Sequence, residues 1–140
     1  MASAARLYTP EVLSLAAGLA AVPLDLAMPL QGNARSPVCG SAIDLSLRLD
    51  DAGAIAAVGL RARACAIGQA SAAIFAAAAP GRSLAEIAGA LAGLEAWLAE
   101  GGALPKWPGL DPLVPARDFP GRHGAILLPW KAAVAALSPA

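Results

Sequence analysis

The sequence predicts an α+β fold in which a β-hairpin lies early in the chain and helices come before and after it. Two observations carry the hairpin. Residues Ile43 to Leu49 alternate apolar and polar without a break, the period of a strand with one buried face. After the turn residues Asp50-Asp51-Ala52-Gly53, Ile55 to Ala64 returns with Val58, Leu60 and Ala62 on one side and Gly59, Arg61 and Arg63 on the other. The third observation is the pair of alanine- and leucine-rich runs that follow, whose composition and spacing are helical.

Taken in order, the chain opens its first helix at Thr9, a suitable N-cap, with Pro10 where a missing N–H costs nothing. Val12, Leu15, Ala16 and Leu19 then share a face, so a short amphipathic helix is expected over 10–21, ended by Pro23. Leu24 to Ala34 is ambiguous. Pro29 and Gly32 interrupt it, and part of it suits an edge strand, where proline is tolerated. Beyond the hairpin, Ala66 to Ala79 is helical by propensity and Pro80-Gly81 stops it. Ser83-Leu84-Ala85-Glu86 is a capping box. The helix it opens sets Leu84, Ile87, Leu91, Leu94 and Leu98 at core spacing and ends near Glu100-Gly101-Gly102. Pro105 to Pro120 reads as an extended surface link. A last helix is expected over Ile126 to Leu137, with Pro129 tolerable only in its first turn. No internal repeat appears, and residues 1–140 read as a single domain.

Composition excludes several classes. Hydrophobic residues make up 58% and charged residues 14%, a membrane-like balance, but the apolar surplus is largely alanine, which gains little from burial. The run from Leu13 to Leu30 is broken by Pro23, Asp25 and Pro29, and that from Ala66 to Ala79 is too short to span a bilayer. No membrane association is therefore expected, and a cytoplasmic location is. Arg6 precedes an apolar run as in a leader, yet Thr9-Pro10-Glu11 reads better as a helix start. A formal net charge of +0 offers no basic field for nucleic acid. Trp97, Trp107 and Trp130 read as core residues, Arg61 and Arg63 as a solvated strand face, and Asp50, Asp51 and Asp111 as turn residues.

The chemistry-bearing residues are the two cysteines, one on each side of the hairpin, whose closure brings its ends together. Pro37-Val38-Cys39-Gly40 leads into the first long strand, and the glycine lets backbone approach whatever the sulfur binds. Ala64-Cys65-Ala66 closes the return strand and opens a helix, so Cys65 faces the positive end of aligned peptide dipoles, which favours the thiolate. Two cysteines in a cytosolic chain argue for reactive or metal-binding thiols rather than a disulfide framework, although inert buried thiols are the plain alternative. Together two such thiols suit a soft metal, an iron–sulfur cluster or a transferable sulfur atom.

Four stretches carry a family resemblance. They are Leu7-Tyr8 with Glu11-Val12-Leu13; Gly32-x-Ala34-x-Ser36-Pro37-x-Cys39-Gly40-Ser41; Cys65-Ala66-Ile67-Gly68-Gln69-Ala70-Ser71-Ala72; and Arg122-His123-Gly124-Ala125-Ile126-Leu127-Leu128-Pro129-Trp130-Lys131-Ala132. In this order and spacing the chain resembles the IscU/NifU-type iron–sulfur cluster assembly scaffolds, including the SufU branch. The resemblance implies a small antiparallel three-stranded sheet covered on one face by helices from both ends of the chain. It also implies sulfur from a cysteine desulfurase, delivery to apo-acceptor proteins, and no turnover of a substrate by the chain itself.

The departures fall on the ligands. Family scaffolds hold a cluster or zinc with three cysteines plus an aspartate or a nearby histidine. Here the aspartate position is Ser41 and the third cysteine position is Ala125, leaving Cys39 and Cys65, with His123 as a candidate third ligand. Two thiolates fall short of the four positions that zinc or a [2Fe–2S] cluster wants, so either would be weakly or transiently held. Three functions follow. The first is a scaffold-like protein that binds iron or a [2Fe–2S] cluster, as a homodimer pooling four thiolates, or that relays sulfur. The second is a metal-free interaction module of the same assembly system. The third is a sulfurtransferase with Cys65 as persulfide acceptor.

Overall fold

The computed structural model describes residues 7–138; Arg6, weighed above as the head of a leader, lies outside them. Helix α1 (Pro10–Gly18) starts as its sequence dictates. Thr9 Oγ1 accepts the Val12 N–H at 3.1 Å, and a single 3-10 turn (Leu19–Ala21) carries it to the boundary before Pro23. Three strands follow, β1 (Leu30–Arg35), β2 (Ala42–Leu49) and β3 (Ile55–Arg63), paired antiparallel in the order β1-β2-β3. The ambiguous stretch supplies β1 just past Pro29, at the sheet edge.

Alternation along β2 buries Ile43, Leu45 and Leu47 against the helices. Ser46 breaks the pattern, being buried on the opposite face. The cause is the connection after α1, which folds over that face. Leu60 N–H donates to Val22 O at 2.8 Å, and Asp25 N–H donates to Ser46 Oγ at 3.0 Å. Gly59 permits the approach, since a Cβ there would lie 2.5 Å from both Pro23 O and Ser46 Oγ.

Helices α2 (Ala66–Ala78), α3 (Leu84–Glu100) and α4 (His123–Leu137) complete the fold. Helix α4 is the central one. It lies across β1 and β2, with α2 and α3 on its other sides, while α2 also meets β3 and α1 packs on α2. Burial of every residue from Ala125 to Trp130 fits that position. Close approach of α4 to β1 depends on small residues, because a Cβ at Gly32 would collide with Ala132 O and stand 2.9 Å from Ala136 Cβ. The capping box forms in both directions, with Glu86 N–H donating to Ser83 Oγ and Ser83 N–H to Glu86 Oε1.

Two expectations are corrected. Helix α4 begins at His123, ahead of the predicted Ile126, so Pro129 sits inside it rather than in its first turn. A proline there withdraws a ladder donor at a cost of about 3 kcal/mol. The buried apolar run around it offsets that cost, and Ser71 Oγ donates to Ile126 O at 2.7 Å in the same turn. Nor is Pro105 to Pro120 an extended surface link. It folds into a 3-10 helix over Asp111–Asp118 and buries Trp107, Leu110, Leu113 and Ala116. Trp107 stacks on Phe75 at 5.5 Å, meets Trp130 edge-on at 5.3 Å, and donates its Nε1–H to Ile74 O at 3.2 Å. An apolar residue at every third position matches the three-residue turn of a 3-10 helix, which prolines allow.

Candidate functional site at the thiol end of the sheet

Register fixes where the cysteines stand. Arg35, Ala42 and Arg63 form one row across the three strands, so the β1–β2 loop (36–41) and the β3–α2 junction leave the sheet at the same end. Cys39 lies on that loop and Cys65 at that junction. The loop is pinned at its base, with Ser36 N–H donating to Ser41 O and Gly40 N–H to Ser36 O, each at 2.8 Å. Gly40 has φ +73°, a conformation in which a side chain would be strained. Cys65 is the N-cap residue of α2, as its sequence position predicts, with its carbonyl accepting the Gln69 N–H at 3.0 Å. Both thiols are half-buried and neither is in a disulfide.

The first turn of α4 closes over this end. Gly124 lies so near Ser36 Oγ that a Cβ would collide with it. Ala125 is fully buried, and its Cβ would lie 3.2 Å from a Cβ at Gly68, one turn into the helix that Cys65 caps. Ser41 and Ala125, the two positions where the resemblance implies ligands, therefore sit against the elements that carry Cys39 and Cys65.

Ser36 and Ser41 are both buried, 4% and 5% exposed, and both act on Cys39. The thiol donates to Ser41 Oγ at 3.2 Å, and on ionisation the same hydroxyl can turn its proton to the sulfur. Burial pushes the Cys39 pKa up. Hydrogen bonds from the Ser36 and Ser41 hydroxyls, with those of the Ser41 and Cys39 backbone, outweigh it and leave the thiol below its ordinary value. Cys65 caps α2, and the hydroxyl donors gather at Cys39. Sequence reasoning passed over Ser36. The available signal was a hydroxyl residue on each side of the cysteine in Ser36-Pro37-Val38-Cys39-Gly40-Ser41.

His123 opens α4, and its Nε2 lies 2.7 Å from Arg117 O. A carbonyl only accepts, so Nε2 is the donor in this contact. Among the described residues no three of His, Cys, Asp and Glu form a group able to hold a metal ion. The donor set of one chain, two thiols and a serine hydroxyl, does not fit a four-ligand cluster or a structural zinc site. What it fits is chemistry carried by a thiolate.

A three-stranded antiparallel sheet backed by helices, with free thiols on two loops at one end, defines the class. The chain belongs to the family described as the NifU-like N terminal domain, whose model matches residues 21–96, more than half of its length. Solved structures agree. A nitrogen-fixing NifU-like protein (N-terminal) from Brucella abortus is 25% identical, with 94% of this chain and 92% of that one covered and a TM-score of 0.85. A putative iron–sulfur cluster assembly scaffold protein for the SUF system from Fervidobacterium islandicum AW-1 shares the fold at 20% identity, with 97% and 100% covered and a TM-score of 0.79. A hypothetical protein is similar at 20% identity, over 90% and 96%, with a TM-score of 0.67. No curated protein matches the sequence. No described helix is long and apolar enough to cross a membrane.

Proposed function

We propose that this chain, acting as one domain in the cytoplasm, serves iron–sulfur cluster assembly as a scaffold-like carrier that relays sulfur through Cys39 and Cys65. The observation that carries the reading is Cys39 itself, a free thiol on a pinned loop with two buried hydroxyls turned on it, at the same sheet end as a second free thiol. Family membership and the NifU-like and SUF-system neighbours support the assembly role. Sulfur would arrive from a cysteine desulfurase as a persulfide, whose outer sulfur the Cys39 thiolate attacks. The donor's S–S bond breaks, a new one forms on Cys39, and the donor leaves as a thiolate. An apo-acceptor protein would take the sulfur onward.

A [2Fe–2S] cluster, as cargo, would need ligands from a second copy, two thiolates from each. Anaerobic reconstitution with iron and sulfide tests this, because a shared cluster colours a dimer, and colour confined to the monomer rules out sharing. The interaction-module reading is favoured by one observation, the serine and alanine at the lost ligand positions. Cys39→Ser and Cys65→Ser separate the readings. Loss of bound iron marks a scaffold and loss of sulfur acceptance alone marks a relay. Unchanged capture of a desulfurase, with neither iron nor sulfur affected, marks a module.

A further inference from the structure

The face of the sheet turned away from the helices carries a charge imbalance at its thiol end. Arg35 and Arg63 flank Ala42 in one cross-strand row, and neither makes an ion pair or a side-chain hydrogen bond among the described residues. In the next row Asn33, Asp44 and Arg61 stand side by side, and Arg61 bonds Asp44 through Nε and Nη2. Both bonds fall on Oδ2 at 3.2 and 2.9 Å, so Oδ1 is left to accept elsewhere. Asp25, the other carboxylate near this face, lies farther along over Gly59, and its Oδ1 accepts the Ala27 N–H. Around the first row lies a cleft of about 380 Å³ lined by Asn33, Arg35, Gly40, Ala42, Asp44 and Arg63. Gly40 forms its rim beside Cys39, and beyond its two chain neighbours no residue comes within 4 Å of where a Cβ would stand, so the rim is low.

We propose that this cleft binds a small sulfur compound of the amino-acid type, a thiol or persulfide carrying carboxylates and an ammonium group, and holds it beside the Cys39 loop. Neighbouring strands lie about 4.8 Å apart, so the two free guanidiniums are rooted roughly 10 Å from each other. That separation suits two carboxylates on one ligand, each taken by a planar guanidinium fork. Asp44 Oδ1 accepts the ammonium, and the methyl of Ala42 leaves room between the arginines. The cleft has the volume of a small-molecule site. Its ligand would reach over Gly40 towards the residues that carry the thiols. The inference rests on the sulfur-relay reading and adds a partner of low molecular weight to it. A bound persulfide gives its outer sulfur to the Cys39 thiolate and leaves as a thiolate, whereas a bound thiol, as its thiolate, takes that sulfur from a Cys39 persulfide.

The test uses S-methylglutathione, which has two carboxylates and an ammonium but no reactive thiol, so binding is separated from sulfur chemistry. Titration followed by amide NMR should show saturable shifts at Asn33 to Arg35, Gly40 to Asp44 and Arg61 to Arg63. Arg35→Gln with Arg63→Gln should weaken binding roughly tenfold or more, because both carboxylate contacts go. Arg48→Gln, an arginine at the far end of β2, should leave it unchanged. Absence of saturable shifts in the unmodified protein, or equal binding by the double variant, overturns the proposal and leaves the arginines to an acidic protein surface. Sulfur acceptance by Cys39 without binding of the probe would sink the cleft and spare the relay. Binding with no acceptance would do the reverse.

Discussion

Ser41 stands where the resemblance implies an acidic ligand, and its hydroxyl bonds the Cys39 sulfur instead. The exchange alters what the site can do, since a hydroxyl that stays protonated supports a thiolate far better than it holds a metal. Ser41→Ala should therefore raise the Cys39 pKa. At a pH just below the ordinary thiol range, iodoacetamide should then label Cys39 more slowly than in the unmodified protein. Peptide mass spectrometry across a pH series checks this, and an unmoved Cys39 profile would show that the hydroxyl does nothing for the sulfur. The sign follows from the depressed value, because the thiolate survives to lower pH in the folded protein than in a free cysteine. Restoring the implied ligands, Ser41→Asp with Ala125→Cys, should increase the iron or zinc retained through purification, read by elemental analysis.

The elements differ in how far their residues announce them. β2 and β3 were legible because strict alternation has one interpretation, and α3 because Ser83 and Glu86 form a reciprocal cap. Ser83→Ala should cost about 1 kcal/mol in urea unfolding. β1 was half legible, since its assignment depends on α4 lying across Gly32, a contact between distant parts of the chain. Gly32→Ala forces the helix off the strand and should cost about 1–3 kcal/mol. The segment from Trp107 to Ala116 was misread for a physical reason. Its prolines suggested an exposed link, while the apolar residues Trp107, Leu110, Leu113 and Ala116 recur every third position, the signature of a buried 3-10 turn. At the site, both cysteines and their shared end of the sheet were legible from the hairpin. Which thiol the hydroxyls support was not, because Ser36 and Ser41 reach Cys39 only through the folding of their loop.

At the scale of the molecule, one sheet end gathers a loop, a helix start and the first turn of α4, and the sulfur-relay proposal rests on the two thiols placed there. The most direct test is anaerobic incubation with a cysteine desulfurase and cysteine, followed by intact and peptide-mapped mass spectrometry. The expected result is the mass of an added sulfur atom on Cys39, removed by reductant and absent from Cys39→Ser. Sulfur uptake by Cys39→Ser equal to that of the unmodified chain, or none by the unmodified chain, would contradict the sulfur-relay role given to Cys39.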